Sequence, residues 1–274
     1  MRKIKNKNTF KMKWKCIESR IENQCLLYGR FILSPFEKGQ ADTLGTALRR
    51  TLLSEIQGTA ITYIRYVKIN NKKLEKIFHE YSHIKDIEES IHEIIFNLKQ
   101  IVLKSCIKKS VFASICVSGP MRVTAEHIKL PSSVQVINKA QYIATIKKPI
   151  NFSLDLVIER DRGFRINDTR FSYSDYSYSI DALFMPVRNV NYNIHISRDG
   201  ENEKEILFLE IWTNGSLTPR EALRQASLKL IAFLHSFLYL EDANDIFSEE
   251  KNVNLNDKGK RSQRSKGGGY GKLL

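Results

Sequence analysis

Residues 218–240 constrain this chain more than any other stretch. Thr218-Pro219-Arg220-Glu221 opens them. The threonine suits a helix cap, the proline suits the first helical position, and the glutamate three residues on completes a capping box. Leu223, Ala226, Leu230, Phe233, Phe237 and Leu240 then recur at spacings of three and four, with Ile231, Leu234 and Leu238 beside that seam. The pattern predicts a helix of about 22 residues with so wide an apolar face that it needs cover on more than one side. Two covers are open: the core of a monomer, or a partner chain. A subunit this small has little to spare for the first, so a partner chain is the natural cover.

The rest of the chain alternates sheet and helix signals. Cys25 to Leu33 reads as a strand that Ser34-Pro35 should end, since proline offers no ladder donor. A loop at 36–40 contains Gly39, and Asp42 is placed to cap a helix running to about Ile56, with Gly58 stopping it. Leu44, Ala47, Leu48, Leu52 and Ile56 form its stripe; Arg49 and Arg50 lie off it. Residues 61–69 read as a strand and 70–76 as a Lys-rich connection. Asp86 and Glu89 read as the capping pair of a second amphipathic helix carrying Ile87, Ile91, Ile94, Leu98 and Ile101. Strands are expected at Val111–Val117, before the turn Ser118-Gly119-Pro120, at the alternating Phe152–Glu159, and at Ile206–Trp212, before the turn Asn214-Gly215. The Tyr/Ser-rich 171–179 reads as an exposed loop. A polar tail ending in Gly267-Gly268-Gly269 follows Leu240.

The formal charge of +14 points to nucleic acid only until it is located. Residues 1–20 hold eight basic side chains and one acid, and residues 258–274 hold six basic side chains and none. The two tails therefore carry nearly the whole excess and the body is close to neutral, which argues against a basic nucleic-acid-binding fold. The tails themselves could meet phosphate backbone without sequence preference. No apolar run is long enough to span a membrane. The basic N-terminus lacks the apolar segment of a secretory signal, and its Lys and Asn fit an Arg- and Ser-rich transit peptide poorly. Cys16, Cys25, Cys106 and Cys116 form no C-x-x-C pair and suit a reducing compartment.

Catalytic chemistry is thinly supported. His79-Glu80-Tyr81-Ser82-His83 matches H-E-x-x-H, in which two histidines share a helix face on zinc and the glutamate activates a bound water. Its position ahead of the helix cap, without a long apolar helix to bury it, favours chance, and a zinc hydrolase using His79, Glu80 and His83 stands only as the alternative reading. His127, His195 and His235 accompany no nucleophile motif, and no phosphate-binding loop appears. The residues point to a non-catalytic assembly protein.

The segment Phe36-Glu37-Lys38-Gly39-Gln40-Ala41-Asp42-Thr43-Leu44-Gly45-Thr46-Ala47-Leu48-Arg49-Arg50-Thr51-Leu52-Leu53 strongly resembles the first helix of the α subunit of bacterial-type RNA polymerase. The resemblance continues at His79-Glu80-Tyr81-Ser82, Asn97-Leu98-Lys99, Glu159 to Phe164, Pro186-Val187-Arg188-Asn189 and Trp212 to Ala222, and so covers about residues 20–240. The wording around Leu183-Phe184-Met185 and Leu209-Glu210-Ile211, with heavy use of Ile, Lys and Asn, resembles the plastid-encoded form.

That resemblance implies an α+β fold: a discontinuous dimerisation domain of two helices on an antiparallel sheet, at 13–60 and 186–240, with a β-rich domain inserted at 61–185. Residues 1–12 and 241–274 would be tails. It implies a homodimer seam of Leu44, Leu48, Leu52, Leu223, Leu230, Phe233 and Phe237, a β-subunit contact at Lys38, Arg49, Arg50 and Leu53, and a β′ contact at Lys99. It further implies a subunit of a nucleotidyltransferase located in the plastid. That subunit would carry no catalytic residue, no metal and no cofactor of its own; magnesium belongs on the catalytic subunit, and DNA is met only through the complex. Gln40 stands where the bacterial loop commonly has an aromatic residue, and the 65–78 connection is longer than the bacterial one. Only 34 residues follow residue 240, too few for the family's separate DNA-binding domain, which is expected to be missing.

Overall fold

The computed structural model describes residues 12–69, 72–73, 83–107, 109–166, 171–172, 177–199 and 202–239. The chain forms two units, Met1–Leu230 and Ile231–Leu274. The described residues of the first contain two large sheets, each with its own apolar core, and two two-stranded ones.

One sheet has four antiparallel strands in the order β1 (Lys13–Asn23), β2 (Leu26–Phe36), β7 (Asn202–Thr213) and β6 (Val187–Asp199). Leu207, Leu209 and Ile211 alternate inward from β7 with no exposure at all, and Phe31, Leu33 and Phe36 of β2 are buried beside them. Helix α1 (Gln40–Ser54) covers this face with Ala41, Leu48 and Leu52. The start of α3 (Pro219–His235) adds Ala222, Leu223 and Ala226.

The other sheet has nine strands among the described residues, built around β3 (Gln57–Ile69), β5 (Asn151–Arg162) and β4 (Val111–Ser118). Phe152, Leu154, Leu156 and Ile158 of β5 point inward as their alternation predicts, and Ile91, Ile94 and Leu98 of α2 (Ile91–Lys99) join the same core. Ile87 and Ile101 are buried with them, so the predicted stripe is intact although its helix is shorter. Burying one such side chain fully contributes about 1.5–3 kcal/mol.

Local corrections have local causes. Strand β2 does not stop at Pro35: the register slips between the pairs Leu33↔Leu207 and Phe36↔Glu205, and Ser34-Pro35 sits in that irregularity, where a missing donor costs little. Asp42 does not cap α1. Gly39 does, in the left-handed region at φ 84°, and Asp42 lies within the first turn. Helix α1 ends four residues before Gly58, which belongs to β3. The capping box of α2 is Ser90 with Glu93 rather than Asp86 with Glu89. Asp86 has a positive φ of 74°, and Glu89 is buried as an acceptor for the Thr145 amide at 2.7 Å and the Tyr142 hydroxyl. Within 171–179, Phe171–Ser172 and Ser177–Ser179 are strands and Tyr178 is buried, because it pairs with Ile64 of β3. The Thr218–Glu221 box forms as predicted, the Glu221 amide donating to the Thr218 hydroxyl at 3.3 Å and the Thr218 amide to the Glu221 carboxylate at 3.1 Å. Helix α3 gives way to a 3-10 turn, Ser236–Tyr239.

The two boxes make acid sensitivity testable. Hydrogen bonds from the caps hold Glu93 and Glu221 below the ordinary glutamate value of 4.5. A depressed folded value contributes stability above the unfolded one and loses it as pH falls through the folded one. Replacing both with glutamine should therefore flatten the fall in thermal midpoint between about pH 5 and 3; acid curves parallel to wild type would contradict this.

Candidate subunit interfaces

Helix α1 presents its arginines where its own stripe leaves off. Leu48 and Leu52 face the sheet, so Arg49 and Arg50 turn outward and are exposed. Leu53, three and four residues on, shares their side of the helix and is half-buried at the edge of the core. Lys38 is exposed in the loop before Gly39. Among the described residues neither guanidinium nor the Lys38 ammonium has an ion-pair or hydrogen-bond partner. Unpaired guanidinium forks beside an apolar side chain suit a partner's carboxylates and carbonyls, which a lysine would meet less well. Just past the helix, Glu55 pairs with Arg162 of β5 at 2.6 Å.

Lys99 ends α2 and lies elsewhere on the first unit. Its ammonium is 3.6 Å from Asp181 and stands over the Phe164 ring at 5.6 Å. It borders a groove of about 260 Å³ whose walls include Thr59, Phe96, Leu183, Met185 and Arg188. Phe96 and Phe164 are half-exposed, and the side chain of the exposed Arg188 makes no ion pair or hydrogen bond among the described residues. Such a groove can take an apolar segment with an acid beside it. Neither Arg188 nor Phe96 was singled out from the sequence; the Pro186-Val187-Arg188-Asn189 motif was the only signal for the first, and nothing local marked the second.

The seven residues expected at a dimer seam divide. Leu48 (3% exposed), Leu52 (1%) and Leu223 (8%) are already spent on this chain's own sheet, with Leu44 and Leu230 packed at its margin. A stripe buries first against the nearest apolar surface, and here that is β2, β6 and β7. In the second unit Phe233 is 65% and Phe237 59% exposed, as are Ile231 at 62% and Leu234 at 60%. The two phenylalanine rings meet edge to face, 5.6 Å between centroids.

His79 and Glu80 lie outside the described residues. His83 is exposed, forming an isolated bridge with Ser90, and no group of three or more His, Cys, Asp or Glu among the described residues is arranged to hold a metal. Burial pushes the Cys25 thiol up against a smaller pull from Arg188, so it is a poor nucleophile. Burial and then the Glu210 carboxylate push Tyr28 up to about 12. No helix among the described residues is long and apolar enough to cross a membrane.

Comparison with known proteins converges on one family. Residues 67–185 match the family described as the RNA polymerase Rpb3/RpoA insert domain. The DNA-directed RNA polymerase subunit alpha of Glycine max is 54% identical over 245 residues, 89% of this chain and 70% of that protein. The subunits of Ceratophyllum demersum and Spinacia oleracea are 50% and 52% identical, over 90% and 91% of this chain and 70% and 69% of their own lengths. These plant relatives give the zinc-hydrolase alternative no support. With identities of this size across nine-tenths of its length, the chain belongs to the family of alpha subunits of DNA-directed RNA polymerase.

Proposed function

We propose that this chain is the non-catalytic scaffold of a plastid DNA-directed RNA polymerase, that it forms a homodimer, and that the dimer nucleates assembly by holding β and β′. Residues 13–60 and 186–240 form the dimerisation domain, with 61–185 inserted. Lys38, Arg49, Arg50 and Leu53 face β, and Lys99 with its groove faces β′. Nucleotidyl transfer and its magnesium lie on the larger subunits, and DNA is reached through them. Descent alongside alpha subunits of plants supports the plastid setting.

The observation that carries the reading is the pair of exposed guanidiniums of Arg49 and Arg50, unpaired among the described residues, on a helix otherwise committed to its own core. Two desolvatable cations with no internal work point to an outside partner. Arg50→Ala is expected to weaken capture of β by about thirtyfold, equivalent to about 2 kcal/mol at a central interface arginine. Thermal stability should move little, because the side chain is exposed and unpaired among the described residues. Co-purification with tagged β measures this, and undiminished recovery of β would refute the assignment.

A further inference from the structure

The N-terminus of α1 is capped from outside its own segment. Glu205 of β7 pairs across the sheet with Phe36, and its carboxylate reaches past the strand end to the next turn of chain. There it accepts the Gly39 amide at 2.8 Å and the Ala41 amide at 3.2 Å. No side chain of the helix itself makes the cap, and the left-handed Gly39 is what lets both amides meet one carboxylate. A carboxylate at a helix N-terminus satisfies otherwise orphaned donors and complements the helix dipole.

The neighbouring strand β6 grips α1 a second time. The Tyr192 hydroxyl of β6 donates to Asp42 at 2.9 Å and lies 2.9 Å from the Thr46 hydroxyl. Its ring fills the space above Gly45, where a Cβ would come within 2.7 Å. Ahead of the cap the loop closes on itself, with the Glu37 amide donating to the Gln40 side chain at 3.1 Å and the Gln40 amide to the Glu37 carbonyl at 3.0 Å. Lys38 therefore sits between two anchored residues, and one of the anchors is Glu205.

We propose that Glu205 is a positioning residue for the β contact, fixing the Lys38 loop and the attitude of α1 so that Lys38, Arg49 and Arg50 engage β together. This rests on the reading of that face as the β contact. Among the described residues Glu205 neither hydrogen-bonds nor pairs with any of these cations; it acts through the Gly39 and Ala41 amides. Multipoint recognition by long cationic side chains is sensitive to such placement, since each misplaced anchor loses its own contact.

The test uses the full-length chain and titrates purified β. Glu205→Ala is expected to weaken β binding about tenfold, with Glu205→Gln between it and wild type because one acceptor oxygen remains. The amides of Gly39 and Ala41 should exchange faster in Glu205→Ala, while those of Leu48 and Leu52 keep their protection. Val190→Ala, in the core below and with no exposure, serves as a variant of matched or greater thermal loss and should bind β within about twofold of wild type. Wild-type binding by Glu205→Ala overturns the proposal, as does an equal loss in Val190→Ala, which would reduce the effect to stability. Arg50→Ala is measured alongside: if it loses β while Glu205→Ala does not, only the positioning role fails. If Arg50→Ala binds normally, the reading of the face fails and the positioning role falls with it.

Discussion

Replacing Phe233 and Phe237 together with aspartate is expected to leave the protein monomeric and unable to capture either large subunit. Both rings stand more than half exposed, with Ile231 and Leu234 equally bare. Four large apolar side chains on so short a stretch are more than a solvated surface normally carries. In a two-fold dimer each substitution occurs twice, so four carboxylates would enter a surface that must exclude water. Leaving unpaired charges in a desolvated seam costs several kcal/mol each, enough to weaken association more than a thousandfold. The fold itself should hold, because exposed positions away from caps and cores usually change stability by no more than about 0.5 kcal/mol. Sedimentation velocity at micromolar concentration reads the first effect and thermal unfolding the second. A variant that sediments as a dimer would show that this face is not the seam. Leu52→Ala makes the opposite contrast, since its side chain is 1% exposed inside one chain. It should cost about 2–5 kcal/mol of stability whatever the oligomeric state.

That contrast also marks the limit of the sequence. Periodicity located all three helices and most of their stripes, because the 3.6-residue repeat is local, although Ile56 falls past the end of α1 and Leu240 lies outside the described residues. It did not say which surface each stripe residue covers. Leu48 and Phe233 look alike in the pattern, yet one is buried by its own sheet and the other is bare. Caps divide in the same way. Thr218 and Glu221 were legible because the box closes over three residues, whereas α1 is capped by a glutamate 164 residues from Ala41. A local reading supplied Asp42 in its place. Tyr178 was read as exposed from its polar neighbours, while the pairing that buries it runs to Ile64, far back in the chain. Arg50 and Lys99 came from motif resemblance. The groove beside Lys99 could not, since Thr59, Phe96, Leu183 and Arg188 are brought together only by folding.

Gly58→Val should be the most damaging single change to the fold, and the reason lies where β3 approaches the Phe184 backbone. Gly58 pairs with Asp161 of β5, and a Cβ there would stand 2.4 Å from the Phe184 carbonyl oxygen and 2.7 Å from its carbon. These are backbone atoms of a segment whose side chain is wholly buried and whose amide donates to Gly163 at 2.9 Å, so they cannot swing aside as a ring or a lysine tip could. Overpacking typically costs about 1–3 kcal/mol, and valine adds two methyl groups to an already impossible Cβ. A loss of about 3 kcal/mol or more is expected, a fall of roughly 6–12 °C in thermal midpoint. Gly163→Ala is the comparator: φ is positive at 73° but nothing lies within 4 Å, so only conformational strain of about 1 kcal/mol applies. If the two variants melt together, the close approach of Gly58 to Phe184 is not real. The damage should reach both proposed contacts at once. Thr59 and Ala60, next in the strand, wall the Lys99 groove, and Glu55, three residues back and just past α1, is held by Arg162. Displacing Gly58 pulls on both, so recovery of β and of β′ should fall together, whereas Arg50→Ala should cost β alone.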